Sequence, residues 1–222
     1  MRVAFHAING VGLGHLVRAL TLADEVRRLE PSAALLILTS AVDTSRVEAA
    51  GFDFVQFPPR LAEPRADAAG PPRLLVLAGG GGQPVDGARY LRAAADAHIL
   101  ARTAIPSLET VLLPGPYAPP FDARRIPGLT VLRDVLDVAP LLASAHLVVS
   151  QAGYNAIAEI RAAAVPALLV PGARRAEDQS ARARRLVRIG AAVVTKPEAR
   201  ALADRIEALF LDPAALGAMR AA

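Results

Sequence analysis

Three clusters of residues carry types and spacings that could do chemistry. The first is Asn9-Gly10-Val11-Gly12-Leu13-Gly14-His15, which follows a short apolar run and opens a helical stretch. Glycines there let the backbone approach a ligand closely, and a helix N-terminus offers unpaired N–H groups and a positive dipole end to a phosphate or other anion. The plainer alternative is a strand-to-helix turn with no ligand. A dinucleotide site would want a third glycine at position 15, where His15 stands, and the second apolar run, LLILTS, lacks a terminal acidic residue for a ribose. The second cluster is Gly79-Gly80-Gly81-Gly82-Gln83, again between an apolar run and a helical stretch. Four consecutive glycines are costly to order, so their use points to a need for backbone freedom or close approach. The third is the stretch 144–171, SAHLVVSQAGYNAIAEIRAAAVPALLVP, followed by GARRAEDQSARARRL. Residues 150–153 form a turn after an apolar run. Asn155 and Glu159 follow at i,i+4, on one face of a helix, where an amide and a carboxylate could both face a ligand. A carboxylate accepting two hydrogen bonds suits a ribose diol, although spacing alone favours a solvated helix-surface acid for Glu159.

These clusters need elements to position them. Apolar runs of strand length at 3–6, 35–39 and 54–57 alternate with helical stretches at 16–29 and 45–50. Such alternation predicts βαβ units and a parallel sheet. The segment 58–72, PPRLAEPRADAAGPP, carries five prolines and no apolar periodicity, so it reads as a linker between a domain at 1–57 and another at 73–222. Beyond it, strands are expected at 74–78, 110–113, 129–132, 147–150, 167–170 and 192–195. Helices are expected near 88–102, 138–143, 154–164, 177–189 and 198–211. Continuous apolar runs such as RLLVLA, HLVVS and PALLVP fit parallel strands buried on both faces. The fold class is therefore α/β with two doubly wound domains, three strands in the first and six in the second. Ligands of such sheets sit at the carboxyl ends of the strands.

Composition narrows the function classes. At 222 residues and 53% hydrophobic content, the chain can bury a substantial core. It has no cysteine, which excludes disulfides and thiolate metal sites, and its four histidines, His6, His15, His98 and His146, are scattered. Neither a metal nor a cofactor is expected. A net charge of +4 is compatible with a polyanion partner, but only 4% of residues are aromatic and no nucleic-acid-binding motif occurs, so a solvated basic surface is the better account. No apolar run is long enough to span a membrane, and the N-terminal sequence lacks the core of a secretory signal, so a cytoplasmic location is expected.

The third cluster resembles the donor-binding segment of glycosyltransferase family 28, the group of peptidoglycan N-acetylglucosaminyltransferase-like enzymes and related bacterial glycosyltransferases. The resemblance rests on a strand ending near Ser150, then Ala152-Gly153-Tyr154-Asn155, Glu159, the strand at 166–171, and Asp178-Gln179 with Arg182 behind. The loops at 79–82 and 12–15 resemble the family's other two glycine loops, in the same order. By that resemblance the fold is GT-B, two Rossmann-like domains, with the nucleotide sugar bound by the C-terminal one. Glu159 would hold the ribose. Gly80, Gly81, Gly82 and Gln83, with the turn from Ser150 to Gly153, would hold the diphosphate, and Asn155 would face the same ligand. Asp178 and Gln179 would contact sugar hydroxyls, and backbone around Arg133 would line the base. Gly12 and Gly14 would form a phosphate or acceptor loop, with His15 as catalytic base or diphosphate contact.

The implied activity is metal-independent, inverting transfer of a sugar from a nucleoside diphosphate sugar, a UDP-sugar, to an acceptor hydroxyl. The N-terminal half departs from the family, whose N-domains hold several more βα units than the three strands expected here. A domain of under sixty residues has a marginal core and would lean on its neighbour or on a second subunit. Two rival readings therefore stand beside the enzyme: a catalytically inactive nucleotide-sugar-binding remnant, and a nucleotide-sugar epimerase of the same architecture. The resemblance leaves open an acceptor at the membrane periphery and a homodimer. It gives no reason to expect nucleic acid as a partner.

Overall fold

The computed structural model describes residues 1–7, 14–39, 44–56, 70–79, 84–115, 118, 120, 125–133, 135, 138–172 and 178–222, with backbone alone at 14, 15 and 84–86. The chain divides into two compact units, Met1–Leu61 and Ala62–Ala222.

The first unit holds β1 (Arg2–Ala7), α1 (Gly14–Leu29), β2 (Ala34–Thr39), α2 (Ser45–Ala49) and β3 (Asp53–Gln56). The strands pair in parallel in the order β1-β2-β3. In α1, Leu16, Ala19, Leu20 and Ala23 recur at helical spacing and are buried with Ala7, Ile37, Val47 and Phe52. On the exposed side of α1, Arg27 lays its guanidinium over the Phe52 ring, 4.2 Å from the centroid, and donates to the Ala50 carbonyl at 3.0 Å. The three expected strands are present, each within one or two residues of its predicted bounds.

The second unit holds β4 (Arg73–Leu77), α3 (Pro84–Ala101), β5 (Glu109–Leu113), β6 (Leu129–Val131), α4 (Ala139–Ser144), β7 (Leu147–Ser150), α5 (Tyr154–Ala162), β8 (Ala167–Leu169), α6 (Gln179–Arg188), β9 (Ala192–Val194), α7 (Ala199–Phe210) and α8 (Pro213–Ala221). Its six parallel strands run β6-β5-β4-β7-β8-β9. Alternate residues of the central strands face two separate cores. Leu74, Val76, Leu147, Val149 and Leu168 pack with α3, α7 and α8 on one side. Leu75, Leu77, Val148, Ala167 and Leu169 pack with α4, α5 and α6 on the other. Apolar side chains on both faces explain why these strands read as unbroken apolar runs rather than as alternating ones.

The sequence reading stopped at residue 211 and missed α8. Asp212 caps this helix by accepting from the Ala215 N–H at 3.0 Å, and Pro213 occupies its first turn, where a missing N–H costs nothing. Met219 buries its side chain in the first core, and Arg220 donates to the Ala145 carbonyl at 3.3 Å, so the helix is part of the second unit's packing. The Asp-Pro pair was the available signal.

Candidate functional site at the strand ends

The chain leaves β4 toward β5 and β6 on one side, then returns to place β7 against the other side of β4. Strand order therefore reverses between β4 and β7, and in an open parallel sheet that reversal opens a crevice at the carboxyl ends of the two strands. Leu77 and Ser150, the last residues of these strands, are register partners, so the loops that follow leave the sheet at one level.

After β4, Gly79 sits at φ +63°, a conformation natural to glycine, with open space where a Cβ would be. The end of β4 is pinned from α3, whose buried Tyr90 hydroxyl donates to the Leu77 carbonyl at 3.3 Å. Burial raises the Tyr90 pKa well above its ordinary value, so the phenol stays protonated and remains a donor. Gly80, Gly81, Gly82 and Gln83 lie outside the described residues.

After β7, the turn to α5 is tied down, with Ser150 and Ala152 buried and Gln151 and Gly153 half-buried. Ser150 Oγ accepts from the Ala152 N–H at 3.3 Å, and Ala152 adopts φ +59° with no exposed surface. Gly153 is the N-cap of α5 in extended conformation. No described side chain caps the helix, and its first turn holds no acidic residue. An uncapped helix start of this kind leaves amide N–H groups available to an anion. Asn155 and Glu159 lie on α5 one turn apart, both exposed.

Beyond β8, the Val170 N–H donates to the Ser150 carbonyl at 2.8 Å, drawing this strand's end against the same turn. The Gly172 N–H donates to Gln179 Oε1 at 2.8 Å. Gln179 is 1% exposed, and its Nε2 has no hydrogen-bond partner among the described residues. Asp178 caps α6 through Oδ1, which accepts from the Ala181 N–H at 2.7 Å, while Oδ2 lies 4.0 Å from Arg184. Asp178 therefore has a structural task of its own. From α6, Arg182 Nε donates across to the Ala152 carbonyl at 3.0 Å. Arg133 is exposed, two residues past β6 at the edge of the sheet, two strands from β4. With neighbouring strands about 4.8 Å apart, that is roughly 10 Å from the reversal point.

Ser150, Gly153, Asn155, Glu159, Asp178 and Gln179 thus gather at the carboxyl ends of β7 and β8, beside the loop leaving β4. Arg133 stands farther along the same edge. Gly14 begins α1 in the first unit, where the backbone of His15 also lies, while Gly12 falls outside the described residues. Sequence reasoning missed Tyr90 and Gly172, which act through a hydroxyl and an amide that no motif marks. It placed Arg182 behind Asp178-Gln179 without seeing that it reaches the other turn.

Residues 127–222 match the glycosyltransferase family 28 C-terminal domain. A UDP-N-acetylglucosamine--N-acetylmuramyl-(pentapeptide) pyrophosphoryl-undecaprenol N-acetylglucosamine transferase of Synechococcus elongatus is 37% identical over 142 residues, 64% of this chain and 38% of that protein. The matched stretch thus spans about two fifths of the relative. Among solved structures, MurG of Acinetobacter baumannii aligns over 97% of this chain and 68% of its own, with TM-score 0.54 and 19% identity. A Listeria monocytogenes protein assigned as a UDP-N-acetylglucosamine 2-epimerase aligns over 99% of this chain and 68% of its own, with TM-score 0.56 and 11% identity. Identities this low speak to fold alone, and they place the chain among α/β proteins of the GT-B type. The reversal of strand order, the glycine turns at the strand ends and the matched segment fall in one unit, and within that unit residues 127–222 are similar to the glycosyltransferase family 28 C-terminal domain.

Proposed function

We propose that the chain is a glycosyltransferase that binds a nucleoside diphosphate sugar, a UDP-sugar, at the carboxyl ends of β4, β7 and β8 and transfers the sugar to an acceptor hydroxyl with inversion. The observation that carries this reading is the uncapped start of α5, placed by a hydrogen-bonded turn at the point where strand order reverses. The diphosphate would lie against the α5 amides and the loop after β4, Glu159 would accept from the ribose hydroxyls, and Gln179 would meet the sugar. In transfer, the acceptor oxygen attacks the anomeric carbon as that carbon's bond to the diphosphate breaks. The acceptor proton passes to a base, for which His15 is the candidate, and the charge left on the diphosphate is stabilised by helix and loop amides in place of a metal ion. The Synechococcus relative is named for transfer to an N-acetylmuramyl-(pentapeptide) carried on pyrophosphoryl-undecaprenol, and an acceptor of that lipid-linked class is proposed here, met by a cytoplasmic protein at the membrane surface. No helix among the described residues is long and apolar enough to cross a membrane.

The test is turnover of a panel of nucleotide sugars beside nucleotide binding by calorimetry. UDP-sugar binding with release of UDP on acceptor addition is expected, and a chelator should leave the rate intact. Binding without transfer or hydrolysis would favour the inactive remnant, and conversion of the nucleotide sugar without acceptor would favour the epimerase, whose fold is shared. Rates lost to the chelator and restored by magnesium or manganese would overturn the metal-free mechanism.

A further inference from the structure

Among the described residues, two that are not glycine adopt positive φ, Ala152 at 59° and Ala164 at 46°. Ala164 needs no special account. It follows the end of α5, where a left-handed residue closes the helix and the Val165 N–H turns back to the Ile160 carbonyl at 3.3 Å. Ala152 precedes a helix instead of ending one, and it is completely buried. An alanine in this conformation is strained, and it persists only where its surroundings over-determine it.

Both of its backbone polar groups are held by side chains. Ser150 Oγ takes the N–H at 3.3 Å from within the turn, and Arg182 Nε reaches the carbonyl at 3.0 Å from thirty residues away. A charged donor makes the stronger kind of hydrogen bond, and a buried carbonyl left without a partner is costly. Gly153 and the first amides of α5 follow directly, so the plane of the Ala152 carbonyl sets where those amides point. One turn earlier on α6, Gln179 takes the Gly172 N–H at 2.8 Å. Two side chains at i,i+3 thus tie both neighbouring strand-end loops to a single helix.

We propose that Arg182 is a positioning residue for diphosphate binding: by holding the Ala152 carbonyl it keeps the β7–α5 turn in its strained form and aims the opening amides of α5 at the anion. The inference rests on the donor-site reading above. Arg182 acts through the turn, so its removal should cost the diphosphate part of the affinity and leave the nucleoside part in place.

The experiment uses the full chain and measures UDP and uridine affinity for wild type, Arg182→Met, Arg182→Lys, and Arg182→Met combined with Ala152→Gly. Arg182→Met is expected to weaken UDP about tenfold while uridine changes by less than about twofold, the scale of one charge-assisted hydrogen bond. Arg182→Lys keeps the charge but not the Nε donor, and it should recover little. Adding Ala152→Gly should restore part of the loss, because glycine adopts positive φ without strain. Wild-type UDP affinity in Arg182→Met, equal losses for UDP and uridine, or full rescue by lysine would each overturn the positioning role while leaving the donor site standing. Failure of the wild type to bind UDP would overturn the donor-site reading and this inference with it.

Discussion

At the scale of single residues, the strand-end site divides into groups that hold the structure and groups available to a ligand. Gln179 does both, since Oε1 anchors Gly172 while the buried Nε2 lacks a described partner. A buried donor without an acceptor is unfavourable, and a ligand oxygen would relieve it. Gln179→Met should therefore weaken a UDP-sugar about tenfold more than it weakens UDP. Its stability should change by less than about 1 kcal/mol, because the lost bond to Gly172 is offset by removal of the orphan donor. Calorimetry with both ligands and a denaturant titration check this, and equal losses for UDP and UDP-sugar would remove Gln179 from the sugar subsite. Glu159 is exposed on α5 one turn beyond Asn155. With the ribose as its partner, Glu159→Ala should weaken UDP by about 1–3 kcal/mol, and unchanged affinity in a folded variant would end that assignment.

At the scale of elements, the amino ends of β5 and β6 are held by a buried polar unit remote from the strand-end site. His98 of α3 sits 2.8 Å from Thr110 Oγ1 through Nδ1 and 2.9 Å from the Pro127 carbonyl through Nε2. A carbonyl only accepts, so Nε2 carries a hydrogen, and the neutral ring then accepts the Thr110 hydroxyl at Nδ1. Burial lowers the His98 pKa; the bond to Pro127 opposes this and the Arg102 charge adds to it. Because the native pKa lies below the unfolded one, near 6.5, stability from this group is complete above that pH and falls as pH drops through the native value. His98→Gln should cost about 1–3 kcal/mol at pH 7.5, with the gap to wild type narrowing toward pH 5. Urea denaturation of both proteins across that range checks this, and a gap that does not change with pH would show that folding leaves the His98 pKa at its unfolded value.

At the scale of the whole molecule, the candidate base and the donor residues belong to different units, His15 to the first and the strand-end cluster to the second. Among the described residues, the second has two main cores flanking six strands, whereas the first has eight buried apolar residues over three. Loss of His15 should therefore leave the nucleotide site in place. His15→Ala is expected to lower turnover about a hundredfold, the usual share of a general base, with UDP affinity unchanged. Steady-state kinetics and calorimetry on one preparation decide it. Turnover that survives would leave His15 as a helix-start residue, and a parallel loss of affinity would mean that it touches the nucleotide.

Much of the architecture was legible because its signals are local. Unbroken apolar runs at β4, β7 and β8 announce strands buried on both faces, and the i,i+4 pair of Asn155 and Glu159 announces one face of α5. The Asp212-Pro213 start of α8 was equally local and was passed over. Which strands lie side by side was not legible, since periodicity describes a strand's faces and leaves its neighbours unspecified. Only the tertiary structure decided that β7 returns to β4 and brings Leu77 level with Ser150. It also decided that Ala152 takes positive φ, that Gln179 is buried, and that Arg182 reaches a carbonyl thirty residues away. Local propensity acts over a few residues of chain, whereas these arrangements follow from packing between segments that the sequence keeps far apart.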